Sequence, residues 1–430
     1  MFPRLPLLEA ILEKLSPAAK TSLTDVAIVT TQHLLETTGS LFETLLRLGA
    51  KPEQFYVEGK LYSTNVDVAE ELRSMGLKVQ HSAFLKGRGN FAESLNQDLR
   101  QVWTTVSDDA RRGWFKSVIV LDDGGHCLAA VPPSIWRTLP VAGIEQTTSG
   151  LQLQTEPRQF PVIQVASSAA KRHIEPPMIS KAVLAKLRAR IPLTDRSTTC
   201  GVIGFGSIGR AITQDLLERG HNVFVFDCNE SLRDSIPPGA KWCEGIEKLF
   251  HKSEYIFGCT GADVINDPKW IGSLRGCKTL ISCSSEDKEF LSALKLLNGD
   301  DCVHEGHQLQ DVTINLSNCH LAILRGGFPI NFDGSSESVP AVDIQFTRAL
   351  LLAGVLQAAL CNNVFRGKKE PIMLSPVLQQ FLIKEWFSMY PSRIKWYPPL
   401  CVERFTSLDW IRKNSTGLTL SCNDLDGCFL

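Results

Sequence analysis

The chain has 430 residues, of which 43% are hydrophobic and 21% charged, and its 45 Lys and Arg nearly balance 46 Asp and Glu for a formal net charge of -1. The length suits two or three domains, and the composition excludes a disordered chain and a core too small to fold without disulfides or metal. The charge balance gives no support to a protein that coats nucleic acid or binds membranes through a polybasic surface.

In chain order, β-branched runs alternate with glycine turns and helical patterns, which predicts parallel α/β architecture. Asp25 to Thr30 reads as a buried strand, followed by a helix from about Gln32 to Leu48 that stops at Gly49. Gln54 to Val57 is the next strand and Val68 to Met75 a helix stopped at Gly76. Ser117 to Leu121 is a strong strand that runs into Asp122-Asp123-Gly124-Gly125, and Pro161 to Val165 is another. After a helix from about Ser180 to Arg190 come a strand at Cys200 to Gly204, a helix from Ile208 to Arg219 and a strand at Asn222 to Phe226. Further strands are predicted at Tyr255 to Cys259, Lys278 to Ser282 and Leu321 to Leu324. The pattern from Val342 to about Leu360 is apolar nearly all round and predicts a deeply packed helix; the longest uncharged apolar run, Ala349 to Phe365, is short for a membrane span. The aromatic and proline-rich stretch after Lys368 has no readable pattern.

Gly204-Phe205-Gly206-Ser207-Ile208-Gly209 is a G-x-G-x-x-G sequence that follows a strand and opens a helix. Asp227 closes the next strand, about 20 residues on, as a dinucleotide fold requires. Gly204 permits the tight turn, Gly206 lets the backbone approach a pyrophosphate, and Gly209 lets the helix pack on the sheet. The helix start holds phosphate charge, and Asp227 accepts hydrogen bonds from ribose hydroxyls, which favours NAD over NADP. The alternative is a Rossmann unit that has lost its cofactor.

Several stretches occur in an order that resembles S-adenosylhomocysteine hydrolase (adenosylhomocysteinase). They are His33 with Leu48-Gly49-Ala50, Ser63-Thr64-Asn65, Leu121 to Gly125, Gly143 to Gly150, Pro161 to Val165 with Lys171, Gly204 to Gly209, Thr260-Gly261, and Pro329 to Phe332. The resemblance implies tightly held NAD that is regenerated in each cycle. It also implies a nucleoside thioether or related sugar-like substrate that is transiently oxidised, an active site at His33, Asp123 and Lys171, and substrate contacts at Glu175 and Gln146. It places Thr147, Thr148, Thr260, Gly261 and Asn331 beside the cofactor. The sequence departs from the family at Gln146, Leu35, Ala166, Pro176 and Ser180, and at Ser285 and Ser338, which fall where the family has histidines. These departures motivate two alternatives, a non-catalytic NAD-binding sensor or regulatory relative and a plain NAD-dependent dehydrogenase.

The residues themselves support part of this. Asp123 ends a strand at a glycine turn, where open α/β sheets place ligands, although Asp122 or Asp123 could instead cap that turn. His33 also follows a strand, and a neutral imidazole is a base near pH 7. Lys171 could move a hydroxyl proton or lie on the surface. Cys302, His304, His307, Cys319 and His320 are metal-ligand types without a standard zinc spacing, so no metal is expected.

The expected architecture is α/β with two domains: a discontinuous α/β substrate domain at 1–178 and 340–395, a Rossmann-type NAD-binding domain at 179–339, and a tail at 396–430. Glu9 and Glu13 interrupt the first apolar stretch, and no signal-type cleavage site follows it. The 13 cysteines lack a regular framework, so free thiols in a reducing cytosol are expected. The expected partners are a small-molecule substrate and further copies of the chain, with a dimer as the working state, and neither nucleic acid nor membrane.

Overall fold

Alternating apolar runs and helices build two parallel sheets in the computed structural model. It describes residues 2–82, 91–153, 159–191, 198–265, 268–295, 309–365, 367–398, 401–420, 423–427 and 429. The chain divides into two units: Met1–Ser82, Glu93–Glu175 and Gly334–Leu430 form the first, and Ala83–Ala92 with Pro176–Asp333 the second. The fold is α/β, with a Rossmann-type unit and a discontinuous α/β unit.

The strands in chain order are β1 (Val26–Gln32), β2 (Phe55–Gly59), β3 (Lys78–His81), β4 (Ser117–Asp122), β5 (Val141–Glu145), β6 (Val162–Gln164), β7 (Thr199–Ile203), β8 (Asn222–Phe226), β9 (Ala240–Trp242), β10 (Tyr255–Gly258), β11 (Gly276–Ser282), β12 (Val312–Asn315), β13 (Cys319–Ile323) and β14 (Pro371–Met373). The first unit's sheet has the order β3-β2-β1-β4-β5-β6-β14, with every pair parallel. The second unit's sheet has the order β9-β8-β7-β10-β11-β13-β12, parallel except for the antiparallel β12–β13 pair. Both begin 3-2-1-4, the doubly wound order whose direction reverses between the first and fourth strands.

Both faces of these sheets are covered, which explains the continuous apolar strands: β1 is buried at every position. The helix Ala341–Leu360 is buried along Asp343–Ala358. Among the described residues it is the one helix long and apolar enough to span a membrane, and here it is a core helix.

The structure corrects several sequence boundaries. The first predicted helix begins at Glu36, because β1 continues through Gln32 and a short turn follows. The predicted strand at Gln54 runs from Phe55 to Gly59. Two helices had no clear sequence signal, Pro6–Lys14 and the 21-residue Phe91–Arg111. The unread segment after Lys368 belongs to the first unit. It adds β14 to the sheet edge and continues as the helix Pro376–Met389. Leu418 N–H donates to Pro371 O (2.7 Å), and the Tyr397 hydroxyl donates to Ile174 O (2.6 Å). The free-thiol expectation fails at buried Cys361, which is disulfide-bonded.

Trp386 anchors this return segment. It is fully buried, its Nε1–H donates to Val342 O (3.1 Å), and its ring meets Phe346. Trp386→Ala is expected to cost the first unit about 3–5 kcal/mol, read as a lowered denaturant midpoint by tryptophan-independent far-UV circular dichroism.

Candidate functional site

In doubly wound sheets, ligands bind beyond the carboxyl ends of the strands, where the strand order reverses. Each unit carries its chemistry-bearing residues there.

In the first unit the reversal lies between β1 and β4. His33 follows β1, Asp123 follows β4, and Lys60 follows the adjacent β2. Lys60 Nζ donates to Asp123 Oδ1. His33 Nε2 lies 3.4 Å from Asp123 Oδ2, and His33 Nδ1 lies 2.6 Å from Ser63 Oγ. Tyr62 packs edge-on against the imidazole, with ring centroids 5.6 Å apart. All three charge-bearing groups are buried, Lys60 completely.

Burial alone would raise the Asp123 carboxyl. The Lys60 ammonium and then His33 outweigh it, holding Asp123 well below the usual carboxylate range. Burial pushes His33 down to about 4 against the opposing pull of Asp123, so the imidazole is neutral near pH 7. The result is a fixed carboxylate and ammonium beside a neutral ring able to accept a proton.

Beneath them, register places Glu58, Thr31, Asp122 and Glu145 in one row across β2, β1, β4 and β5. Asp122 Oδ2 accepts from Leu128 N–H (2.7 Å), which is the turn-stabilising role weighed for it. Glu145 Oε1 accepts from Thr147 N–H (2.7 Å) and the Thr147 hydroxyl (2.9 Å). Burial raises both carboxyls.

Other expected residues lie around this edge. Lys171 and Glu175 form an ion pair on one turn of helix, and the Thr347 hydroxyl donates to Glu175 Oε1 (2.6 Å). Gln146 is buried after β5, with its N–H on Asp122 O (3.0 Å). Thr147 caps the helix Thr148–Gln152 by accepting from Gly150 N–H (3.0 Å). Thr147 and Thr148 therefore belong to the first unit, apart in the chain from the fingerprint.

In the second unit the reversal lies between β7 and β10, and Gly204 to Gly209 fill the turn after β7. Gly204 has φ +92°, a left-handed conformation that suits glycine. A Cβ on Gly209 would lie 1.8 Å from Gly204 O, so the helix start packs too tightly for any side chain. A Cβ on Gly206 would meet nothing within 4 Å, so the protein leaves open the space that a pyrophosphate needs. Gly206 caps the helix Ser207–Glu218 without a side-chain hydrogen bond, leaving first-turn N–H groups for an anion. Phe205 and Ile208 flank this turn, and Phe205 is stacked on by Arg210 (4.4 Å). Asp227 accepts from Phe205 N–H (2.6 Å) and Asn229 N–H (2.8 Å), which fixes the carboxylate while leaving further lone pairs. Thr260 and Gly261 follow β10, and Asn331 is buried in the same unit. These residues fit a dinucleotide.

Sequence reading missed three residues. Lys60 was findable as a lysine directly after a strand. Arg348 was findable as a charge inside an otherwise apolar helix pattern. Glu289 carried no signal. It is fully buried, and its carboxylate accepts from Thr260 N–H and Gly261 N–H (both 2.6 Å), shaping that loop. Of the metal-ligand types, Cys302, His304 and His307 lie outside the described residues, and His320 Nδ1 pairs with Asn315 Oδ1 (2.8 Å). Among the described residues no cluster fits a metal ion.

Residues 199–285 match a family described as the NAD binding domain of 6-phosphogluconate dehydrogenase. The uncharacterized proteins Rv0104 and MT0113 of two Mycobacterium tuberculosis strains are each 29% identical over 367 residues, 83% of this chain and 68% of theirs. A glyoxylate reductase from Paecilomyes thermophila is 11% identical with a TM-score of 0.38, covering 78% of this chain and 95% of that one. A 2-hydroxyacid dehydrogenase from Ketogulonicigenium vulgare is 13% identical with a TM-score of 0.37, covering 80% and 96%. Such low scores do not equate the folds. The family match corrects the resemblance to adenosylhomocysteinase: the fingerprint unit is matched as the NAD-binding domain of a dehydrogenase, and roles implied by the earlier resemblance rest on geometry alone. The unit is an NAD-binding domain.

Two predictions test this geometry. Gly206→Ala is expected to leave the unfolding temperature unchanged and weaken NAD binding at least about tenfold, whereas Gly209→Ala lowers both, as read by thermal unfolding and NAD titration. His33 has a folded value near 4, below its ordinary 6.5, so the unfolded chain binds the extra proton between those values. Its contribution is complete above pH 6.5 and is lost as pH falls toward 4. The stability difference between wild type and His33→Gln is therefore expected to shrink by about 3 kcal/mol across that window. Asp122, raised rather than lowered, acts with the opposite sign in both proteins and cancels from the difference.

Proposed function

We propose that the protein is an NAD-dependent dehydrogenase that interconverts a hydroxyl and a carbonyl on a small molecule. The observation that carries this reading is the pairing, within one chain, of an intact NAD-binding domain with a buried acid–base constellation at the first unit's strand-order reversal. NAD supplies the hydride acceptor when bound. Gly204, Phe205, Gly206, Ser207, Ile208 and Gly209 are proposed to hold its pyrophosphate, Asp227 its ribose, and Thr260, Gly261 and Asn331 its remaining length.

The chain's own residues are proposed to handle the proton. Neutral His33 accepts it, because burial keeps the ring unprotonated at pH 7. Asp123 stabilises the imidazolium that forms, and Lys60 fixes the Asp123 carboxylate so that it does not turn away. Ser63 sets the ring orientation through Nδ1. Lys171 is proposed as a substrate-hydroxyl donor rather than a base, because its ammonium is engaged by Glu175. Gln146 is proposed as a substrate contact through its buried Oε1, which has no hydrogen-bond partner among the described residues.

The test is NADH formation from a panel of small alcohols, sugars and hydroxy acids. Turnover is expected in the wild type, with a loss of about a hundredfold or more in His33→Gln and unchanged NAD affinity. NAD binding with no NADH from any substrate class would favour a non-catalytic NAD-binding protein instead.

A further inference from the structure

Arg348 lies in the middle of the apolar helix Ala341–Leu360 and is only 2% exposed. Burying a guanidinium is costly unless a carboxylate and hydrogen bonds compensate it. Here compensation is incomplete. Among the described residues its one hydrogen bond runs from Nε–H to the Thr37 hydroxyl (3.2 Å), and no carboxylate lies within ion-pair distance.

Three acids act on Arg348 through space, Glu337, Asp123 and Glu175; among the described residues none pairs with it, Asp123 and Glu175 are committed elsewhere, and Glu337 is engaged through one oxygen, its buried Oε2 having no hydrogen-bond partner there. Glu337 Oε1 accepts from Thr37 N–H (2.5 Å). Asp123 is held by Lys60 and His33. Glu175 is held by Lys171 and Thr347. The N–H groups of Nη1 and Nη2 thus form a planar fork of charged donors with no acceptor among the described residues. Thr37, which positions this fork, is in the first turn of the helix that follows His33. The same charge is felt by His33 and Asp123. The fork therefore belongs to the neighbourhood of the proposed proton-handling residues.

We infer that Arg348 is an anion-recognition residue and that the small molecule bound by the first unit carries a carboxylate. Two coplanar oxygens match the two Nη donors, a geometry that a single point charge does not require. Near-complete burial restricts the ligand at this point to a small group. The inference names the substrate class for the dehydrogenase reading above and rests on it.

The test measures binding to the full chain loaded with NAD, by calorimetry, using oxalate and glycolate, their neutral analogue oxamide, and inorganic phosphate. The wild type is expected to bind a carboxylate and not oxamide. Arg348→Met is expected to weaken that binding at least about tenfold while NAD affinity and unfolding temperature are unchanged or higher, because it removes an uncompensated buried charge. Arg348→Lys keeps the charge but not the fork, and is expected to lose most carboxylate affinity too; it decides the matter if the methionine variant does not fold. No carboxylate binding by the wild type, preference for phosphate, or equal carboxylate binding by both variants would overturn the inference. Carboxylate binding without NADH formation would overturn the dehydrogenase reading alone. NADH formation from a neutral alcohol at a rate unchanged in Arg348→Met would overturn this inference alone.

Discussion

Parallel strands bring all their carboxyl ends to one edge of a sheet, and an order that reverses direction opens a crevice there. Both units of this chain obey that constraint with the same initial order, β3-β2-β1-β4 and β9-β8-β7-β10. In one unit the reversal is lined by glycines and backbone N–H groups. In the other it is lined by His33, Asp123 and, one strand away, Lys60. One topology thus serves an anion-cradling turn in one unit and charged side chains in the other.

The charged edge is stable because its groups compensate one another. A buried carboxylate or ammonium alone would be neutralised by a shifted pKa. Lys60 and Asp123 avoid this by facing each other, and the neutral ring of His33 lies against the same carboxylate. Glu175 with Lys171 repeats the arrangement nearby. Arg348 is the exception, since among the described residues none of the acids that act on it through space pairs with it. Buried charge left uncompensated in this way marks a position where stability has been given up for recognition.

Register decides what lies behind the edge. Glu58, Thr31, Asp122 and Glu145 share a row because parallel pairing aligns them, although they are far apart in sequence. Asp122 and Asp123 show the consequence of strand period: adjacent residues point to different surroundings, so one carboxyl is raised by burial and the other held low by Lys60 and His33.

Much of this was legible before the structure. Local patterns determined the alternation of strands and helices, the buried character of the helix ending at Leu360, the dinucleotide turn from Gly204 to Gly209, and the placement of His33 and Asp123 at strand ends. These signals are carried by neighbouring residues, so sequence order preserves them. The family suggested by scattered short motifs did not hold, because such motifs record common strand-end chemistry as readily as descent. Tertiary structure alone decided that the segment after Lys368 returns to β6, that Lys60 meets Asp123, that Glu289 shapes the loop at Thr260, and that Arg348 pairs with no carboxylate among the described residues. Each of these depends on contacts between residues distant in the chain, which strand order and register bring together and which no local pattern encodes.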